Sequence, residues 1–119
     1  MLFRSAGQVE EVLRSDVNSC MLAEDGEQLV GFLVWQETDF EAEVLQIAVL
    51  PSYQGQKIAT ALFGFLPADK EIFLEVRESN KPALLFYKKE NFEEIARRKA
   101  YYHAPVEDAI VMKREIHER

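Results

Sequence analysis

The sequence predicts a single mixed α/β domain over residues 1–119: a mostly antiparallel sheet with helices on both faces. Three observations lead there. A length of 119 residues suits one core and is short for two. The first half holds apolar runs broken by hairpin-type turns, which pair neighbouring strands antiparallel. In the second half strand patterns alternate with helical ones, and a helix between two strands is how a chain crosses over a sheet.

Val9, Val12 and Leu13 recur at helical spacing and predict a short helix over about residues 6–15. Cys20–Ala23 reads as a strand, with Glu24-Asp25-Gly26-Glu27 as its hairpin turn. A second strand is expected over Gln28–Glu37, where Leu29, Val30, Phe32, Val34 and Trp35 lie, and Thr38-Asp39 turns the chain again. Glu43–Leu50 is nearly all apolar at its end, as a central strand is. After a polar turn, Ile58, Ala59, Leu62, Phe63 and Leu66 share one helical face, and Pro67 stops that helix. Residues 72–76, Ile-Phe-Leu-Glu-Val, form a buried strand. Asn80–Glu90 is a helix with Pro82 in its first turn and Asn91 at the left-handed stop position. Two more strands follow at about 92–101 and 108–116, on either side of a loop around Pro105.

Composition excludes several classes of function. A net charge of −7 disfavours a nucleic-acid partner, because phosphate binding rests on lysine and arginine. The same charge suits an amine or a basic protein tail. No apolar run approaches the ~18 residues of a membrane span, and the first fifteen residues lack a secretory pattern, so a cytoplasmic protein is expected. Cys20 is the only cysteine and no Cys/His cluster is present, so neither a disulfide nor a metal site is expected. His103 and His117 stand alone.

The turn Leu50-Pro-Ser-Tyr-Gln-Gly-Gln-Lys-Ile-Ala-Thr60 invites a chemical reading. A helix start presents free N–H groups and partial positive charge, and a preceding glycine lets the backbone approach a ligand. Such a turn is either a plain connection or an anion cradle.

IAVLPSYQGQKIATAL resembles motif A of the GNAT acetyltransferases, Gln/Arg-x-x-Gly-x-Gly/Ala after a strand ending Val-x-Pro. Gln54 and Ala59 match its ends, while Lys57 stands where the family has its middle glycine. The resemblance implies that Gln54, Gly55, Gln56, Lys57, Ile58, Ala59 and Thr60 cradle the pyrophosphate of acetyl-coenzyme A. It also implies that Ile47, Ala48 and Val49 offer main-chain groups to the acetyl and pantetheine portions. If position 57 needs a positive φ, lysine is strained there.

A longer stretch is similar to the RimI-type ribosomal-protein alanine acetyltransferases. It carries Leu74, Glu75, Val76, Arg77, Ser79, Asn80, Ala83, Tyr87, Phe92, Arg98, Tyr101, Tyr102, Glu107, Asp108, Ala109 and Met112 in order. By this likeness Glu75 is the general base and Tyr87 the general acid for the leaving thiolate. Asn80 contacts the coenzyme, and Tyr101, Tyr102, Glu107 and Asp108 shape the acceptor channel. Read without the likeness, Glu75 is a solvent-facing strand glutamate, Asn80 a helix cap, Tyr87 a core residue and the others a polar connection.

The resemblance implies an N-acetyltransferase that uses acetyl-coenzyme A, with direct attack by a primary amine in a ternary complex and no metal. The acceptor is then a protein N-terminal α-amino group, possibly that of a ribosomal protein. Lys57 and a short N-terminus, which lacks the family's usual first strand and helix, favour one alternative, a reduced coenzyme-A-binding or protein-interaction module; an acetyltransferase for small amines is a third reading. The sheet edge left by a missing first strand would suit a homodimer or be covered by N-terminal residues.

Overall fold

In the computed structural model, which describes residues 1–10 and 17–116, β1 (Leu2–Glu10), β2 (Val17–Asp25), β3 (Gln28–Glu37) and β4 (Glu41–Val49) make an antiparallel meander. α1 (Ile58–Phe63) leads to β5 (Glu71–Arg77), and α2 (Lys81–Lys89) leads to the hairpin of β6 (Glu93–Tyr102) and β7 (Glu107–Arg114). The seven strands form one sheet in the order β1-β2-β3-β4-β5-β7-β6. Among the described residues, only β4 and β5 pair in parallel.

Most elements form where the local pattern puts them. β3 spans the expected residues, with Gly31, Leu33 and Trp35 buried at alternate positions. Asn80 caps α2 by accepting the Ala83 N–H at 3.3 Å, and Asn91 ends it at φ 72°. The helix expected over 6–15 is corrected: residues 6–10 belong to β1, and residues 11–16 lie outside the described residues. The apolar spacing there is short, and a marginal helix yields to a partner strand that supplies a ladder from Leu2↔Glu24 to Glu10↔Val17, broken by one irregularity between Ser5 and Gln8. A strand, β1, therefore occupies the sheet edge expected to be left by a missing first strand.

The expectation of helices on both faces is also corrected. Both pack on one face, where the Phe63 ring of α1 touches Phe86 and Tyr87 of α2 at 5.2 and 6.0 Å. Topology explains this. The crossovers β4–α1–β5 and β5–α2–β6 join strands that run the same way and step in the same direction across the sheet. Right-handed crossovers that step alike put their helices on the same side. Ala42, Val44, Ile72, Leu74, Val76, Ile110 and Met112 close the core beneath them. The opposite face presents Gln36, Glu43, Glu75 and Arg98, with no described helix over them.

α1 is shorter than its apolar stripe suggests. It stops at Phe63 and the chain turns through Gly64 and Phe65, yet Leu66 remains buried.

Candidate active site

β4 and β5 pair only over Glu41–Glu43 with Glu71–Phe73 and then diverge. The cause lies in β4. Val34 faces Gln46 while Trp35 faces Val44, so Leu45 is an extra residue that bends the strand. From Val44 onward the β5-facing edge of β4 has no ladder partner in β5. The opening is a cleft of about 550 Å³ lined by β4 (Val44–Ile47), β5 (Leu74–Arg77), Asn80, Tyr87 and Tyr102. It runs through the sheet: Tyr87 reaches it from the helix-covered face and Glu75 from the open one.

Glu75 sits at a wall. It also lines a second pocket of about 220 Å³ on the open face, with Gln36, Thr38, Glu43, Phe73 and Arg98 among its neighbours. Glu75 Oε2 is buried and accepts no hydrogen bond from the described residues. A buried carboxylate oxygen without a donor is costly, so its position suits a group that receives a proton. Arg98 Nε lies 3.8 Å away.

The Tyr87 ring lies in an aromatic cluster, stacked on Phe63 with an interplanar angle of 13° and 6.1 Å from Phe92. Burial pushes its phenol above the ordinary value, and Tyr102 adds to this. Tyr87 is therefore protonated at neutral pH and can donate. Tyr102 is also raised, first by burial and then by the Glu75 charge, while the Arg77 guanidinium 4.4 Å from its ring centroid opposes this.

At the open end of β4, the turn holds its backbone by few bonds. Gln54 donates its side-chain amide to the Val49 carbonyl at 3.2 Å, tying turn to strand. The Gln54 N–H closes a turn to Pro51, and the next amide with a backbone partner outside a strand or helix is that of Ala61. Among the described residues, the N–H groups of Gly55–Thr60 meet no backbone acceptor in this turn. Gly55 has φ 83° and its absent Cβ would touch nothing within 4 Å, so conformation demands the glycine and a ligand has room to approach. Lys57 lies at φ 62°, which resolves the question of strain. A lysine there costs about 1 kcal/mol. Lys57→Gly is expected to raise Tm by a few degrees, measured by thermal melting; an unchanged or lower Tm would show that the lysine stem is supported by packing.

The family description "Acetyltransferase (GNAT) domain" matches residues 16–94, a span that contains this turn, the diverging strands and α2. The chain belongs to the GNAT acetyltransferase family. Among its GNAT relatives is the Haemophilus influenzae protein named [ribosomal protein bS18]-alanine N-acetyltransferase, 38% identical over 97 residues, which cover 74% of this chain and 66% of that one. The crystal structure of the ribosomal-protein-S18-alanine N-acetyltransferase from Escherichia coli superposes with a TM-score of 0.75 at 31% identity, covering 84% of this chain and 70% of that one. A streptothricin acetyltransferase from Bacillus anthracis in complex with acetyl coenzyme A shares the fold at 23% identity and TM-score 0.71, covering 86% of this chain and 63% of that one. The chain spans about two thirds of the Haemophilus protein's length and 33% of that of a 34%-identical Mycobacterium leprae relative.

On this GNAT domain, Glu75, Tyr87, Asn80, Ile47 and Tyr102 of the residues expected from sequence come together on one cleft. Ala48, Val49 and the residues from Gln54 to Thr60 continue from its β4 wall without lining it. Tyr101 is 45% exposed and packs on Tyr102 outside the cleft. Glu107 is held internally: it accepts the Ser79 N–H at 3.1 Å and an Arg77 N–H at 3.1 Å, which ties β7 to the β5–α2 bend. Asp108 likewise accepts from Ala100 N–H and Arg97, pinning the bulge in β6 that sets Tyr102 beside the cleft.

Sequence reasoning gave no site role to Glu43, Gln46 or Arg98, although Arg98 stands among the residues that carry the resemblance. The approach of Glu43 and Arg98 to Glu75 depends on strand order. Gln46 owes its place to the bulge.

The Glu107 lock has a pH signature. The hydrogen bonds from Ser79, then those from Arg77, hold its carboxyl below the usual range. A depressed folded value contributes stability above the ordinary carboxylate value, and that contribution is lost as pH falls through the lowered one. Glu107→Gln should therefore lower the urea midpoint at pH 7 and narrow the difference between pH 7 and pH 3. Parallel wild-type and variant pH curves would show that Glu107 contributes nothing through its charge.

Proposed function

We propose that this protein transfers the acetyl group of acetyl-coenzyme A to a primary amine, by direct attack in a ternary complex. The acceptor is a protein N-terminal α-amino group, with that of a ribosomal protein as the leading candidate. One observation carries the reading: a cleft that passes through the sheet with a partly buried carboxylate, its Oε2 unbonded, at one mouth and a protonated phenol at the other. An acyl donor and an amine entering from opposite faces would meet between Glu75 and Tyr87. The names of the relatives support the acceptor class.

The residues fit acetyl-coenzyme A. The amides of Gly55–Thr60 are suited to its pyrophosphate, and the unladdered edge of Ile47, Ala48 and Val49 to its pantetheine arm. Acetyl-coenzyme A supplies the acetyl group and departs as the free thiol. Glu75 takes a proton from the amine as its nitrogen forms the bond to the carbonyl carbon. A main-chain N–H near Val49 stabilises the oxyanion. The carbon–sulfur bond breaks as Tyr87 donates its phenolic proton to sulfur. Solvent then returns a proton to Tyr87 and removes one from Glu75, so one amide and one thiol are formed with no net change at the enzyme. Holding the two reactants in one cleft supplies much of the acceleration. Cys20 lies on β2, outside the cleft lining, so no thiol-bound intermediate is invoked.

The test is coupled thiol release with an acceptor panel: peptides starting with alanine, peptides with internal lysine and a blocked N-terminus, and free amines. Turnover is expected with the alanine-start peptides. Release with free amines alone would replace the acceptor; tight coenzyme binding with no release on any acceptor would make the domain a binding module.

A further inference from the structure

We propose that Arg77 is a positioning residue for the acceptor: it clamps the tip of the β6–β7 hairpin so that the Tyr102 ring stands as the acceptor-side wall of the cleft. The inference rests on the reading of this cleft as an acetyl-transfer site.

The hairpin tip has little of its own to hold it. The β6–β7 ladder breaks after Arg98↔Ala109 and resumes with one pair, Tyr102↔Glu107. The four residues of the turn beyond that pair, His103 to Val106, are exposed, and Ala104 lies at φ 62°. Yet Tyr102, at the base of the turn, lines the cleft with Glu75 and Tyr87. A segment with few buried contacts and a broken ladder opens easily, so a fixed position for its side chains needs a tie from outside the hairpin.

Arg77 supplies that tie from β5. It is the last residue of the strand, pairs with Ala109 of β7 and itself lines the cleft. Its Nη1 donates to the Pro105 carbonyl at 3.2 Å and to Glu107 Oε2 at 3.1 Å, one hydrogen for each. Its guanidinium carbon lies 4.4 Å from the centroid of the Tyr102 ring. One planar group thus grips the end of β6, the turn and the start of β7. Glu107 extends the grip to the β5–α2 bend, because its other oxygen accepts the Ser79 N–H at 3.1 Å.

The main yield of these contacts is geometry rather than stability. The Arg77 side chain is 35% exposed, and an ion pair at that exposure is worth little. A guanidinium is rigid and flat, however, so it orients a ring plane as well as two hydrogen-bond acceptors. Tyr101 meets the Tyr102 ring edge-on at 5.2 Å and closes the arrangement. Tyr87, by contrast, sits in a cluster of phenylalanines and needs no such clamp. A wall ordered before the acceptor arrives spares binding the cost of ordering it.

The test is calorimetric titration of the full chain, saturated with coenzyme A, with a peptide that begins with alanine. Amide hydrogen exchange at His103, Ala104 and Val106 is followed in parallel. Arg77→Met should speed that exchange and weaken peptide binding roughly 5- to 10-fold, with coenzyme affinity near wild type. Arg77→Lys keeps the charge, loses the flat stack and should fall between. In a Tyr102→Ala background, Arg77→Met should add less than about twofold, because a residue that acts through another gives no second loss once that other is gone. If Arg77→Met does not fold, Arg77→Lys in the same two backgrounds makes the comparison. Unchanged exchange, unchanged peptide affinity, fully additive losses, or no peptide binding to wild type each overturn the proposal. Binding that weakens as stated, with no thiol release by wild type, keeps the clamp and removes acetyl transfer; thiol release with peptide affinity unmoved by Arg77→Met does the reverse.

Discussion

Tyr87→Phe lowers kcat by about 100-fold or more, the usual worth of a positioned general acid, and leaves coenzyme affinity and Tm near wild type. The structure makes this a clean substitution. The ring is held by Phe63, Phe86 and Phe92, and phenylalanine keeps each of those contacts. Tyr87 lines the cleft, and burial holds its phenolic proton through neutral pH. Steady-state kinetics with calorimetric coenzyme titration separates the outcomes. A large loss of affinity with kcat preserved would make Tyr87 a packing residue. An acyl donor with a better leaving thiol should recover part of the lost rate, because the acid is needed only for a poor leaving group.

Glu75→Gln is expected to cost about 100-fold or more in kcat/KM near neutral pH and less as pH rises. The sign follows from the acceptor. At low pH the amine is an ammonium ion and needs a base; at high pH solvent has already removed the proton, so loss of Glu75 matters less. The same substitution should not lower Tm. Its carboxylate is partly buried, Oε2 has no donor, and Arg98 is beyond bonding distance, so neutralising the group removes a desolvation cost. Lower activity with equal or higher stability marks a residue kept for chemistry rather than for the fold. Equal turnover at every pH would remove Glu75 from the mechanism. Together, Tyr87→Phe and Glu75→Gln probe the two mouths of one cleft, and their combined effect should fall short of the product of the single effects if both act in one step.

Local patterns carried the strands and α2 because their determinants are local. β3 has its alternation, α2 has its cap at Asn80 and its stop at Asn91, and the β2–β3 hairpin has Gly26 at φ 62°. The β1 region failed because its pattern is too short to hold a helix against a neighbouring strand. Helix placement failed because the amphipathic stripe of α1 or α2 says that it must be covered, not by which face of the sheet.

The site divides the same way. The residue types of its chemistry, the Glu75 carboxylate in an apolar strand, the Tyr87 phenol on a helix and the glycine turn at Gly55, were readable in order along the chain. Their meeting was not. It depends on the Leu45 bulge that ends the β4–β5 ladder, on strand order that brings Arg98 across β7, and on the β6 bulge, pinned by Asp108, that turns Tyr102 inward. What the sequence alone determined is which groups exist and which local elements carry them, because dihedral preference, capping and apolar period act within a few residues. What only the tertiary structure decided is which groups share a cleft and at what distance, because strand divergence and crossover side are set by contacts between residues far apart in the chain.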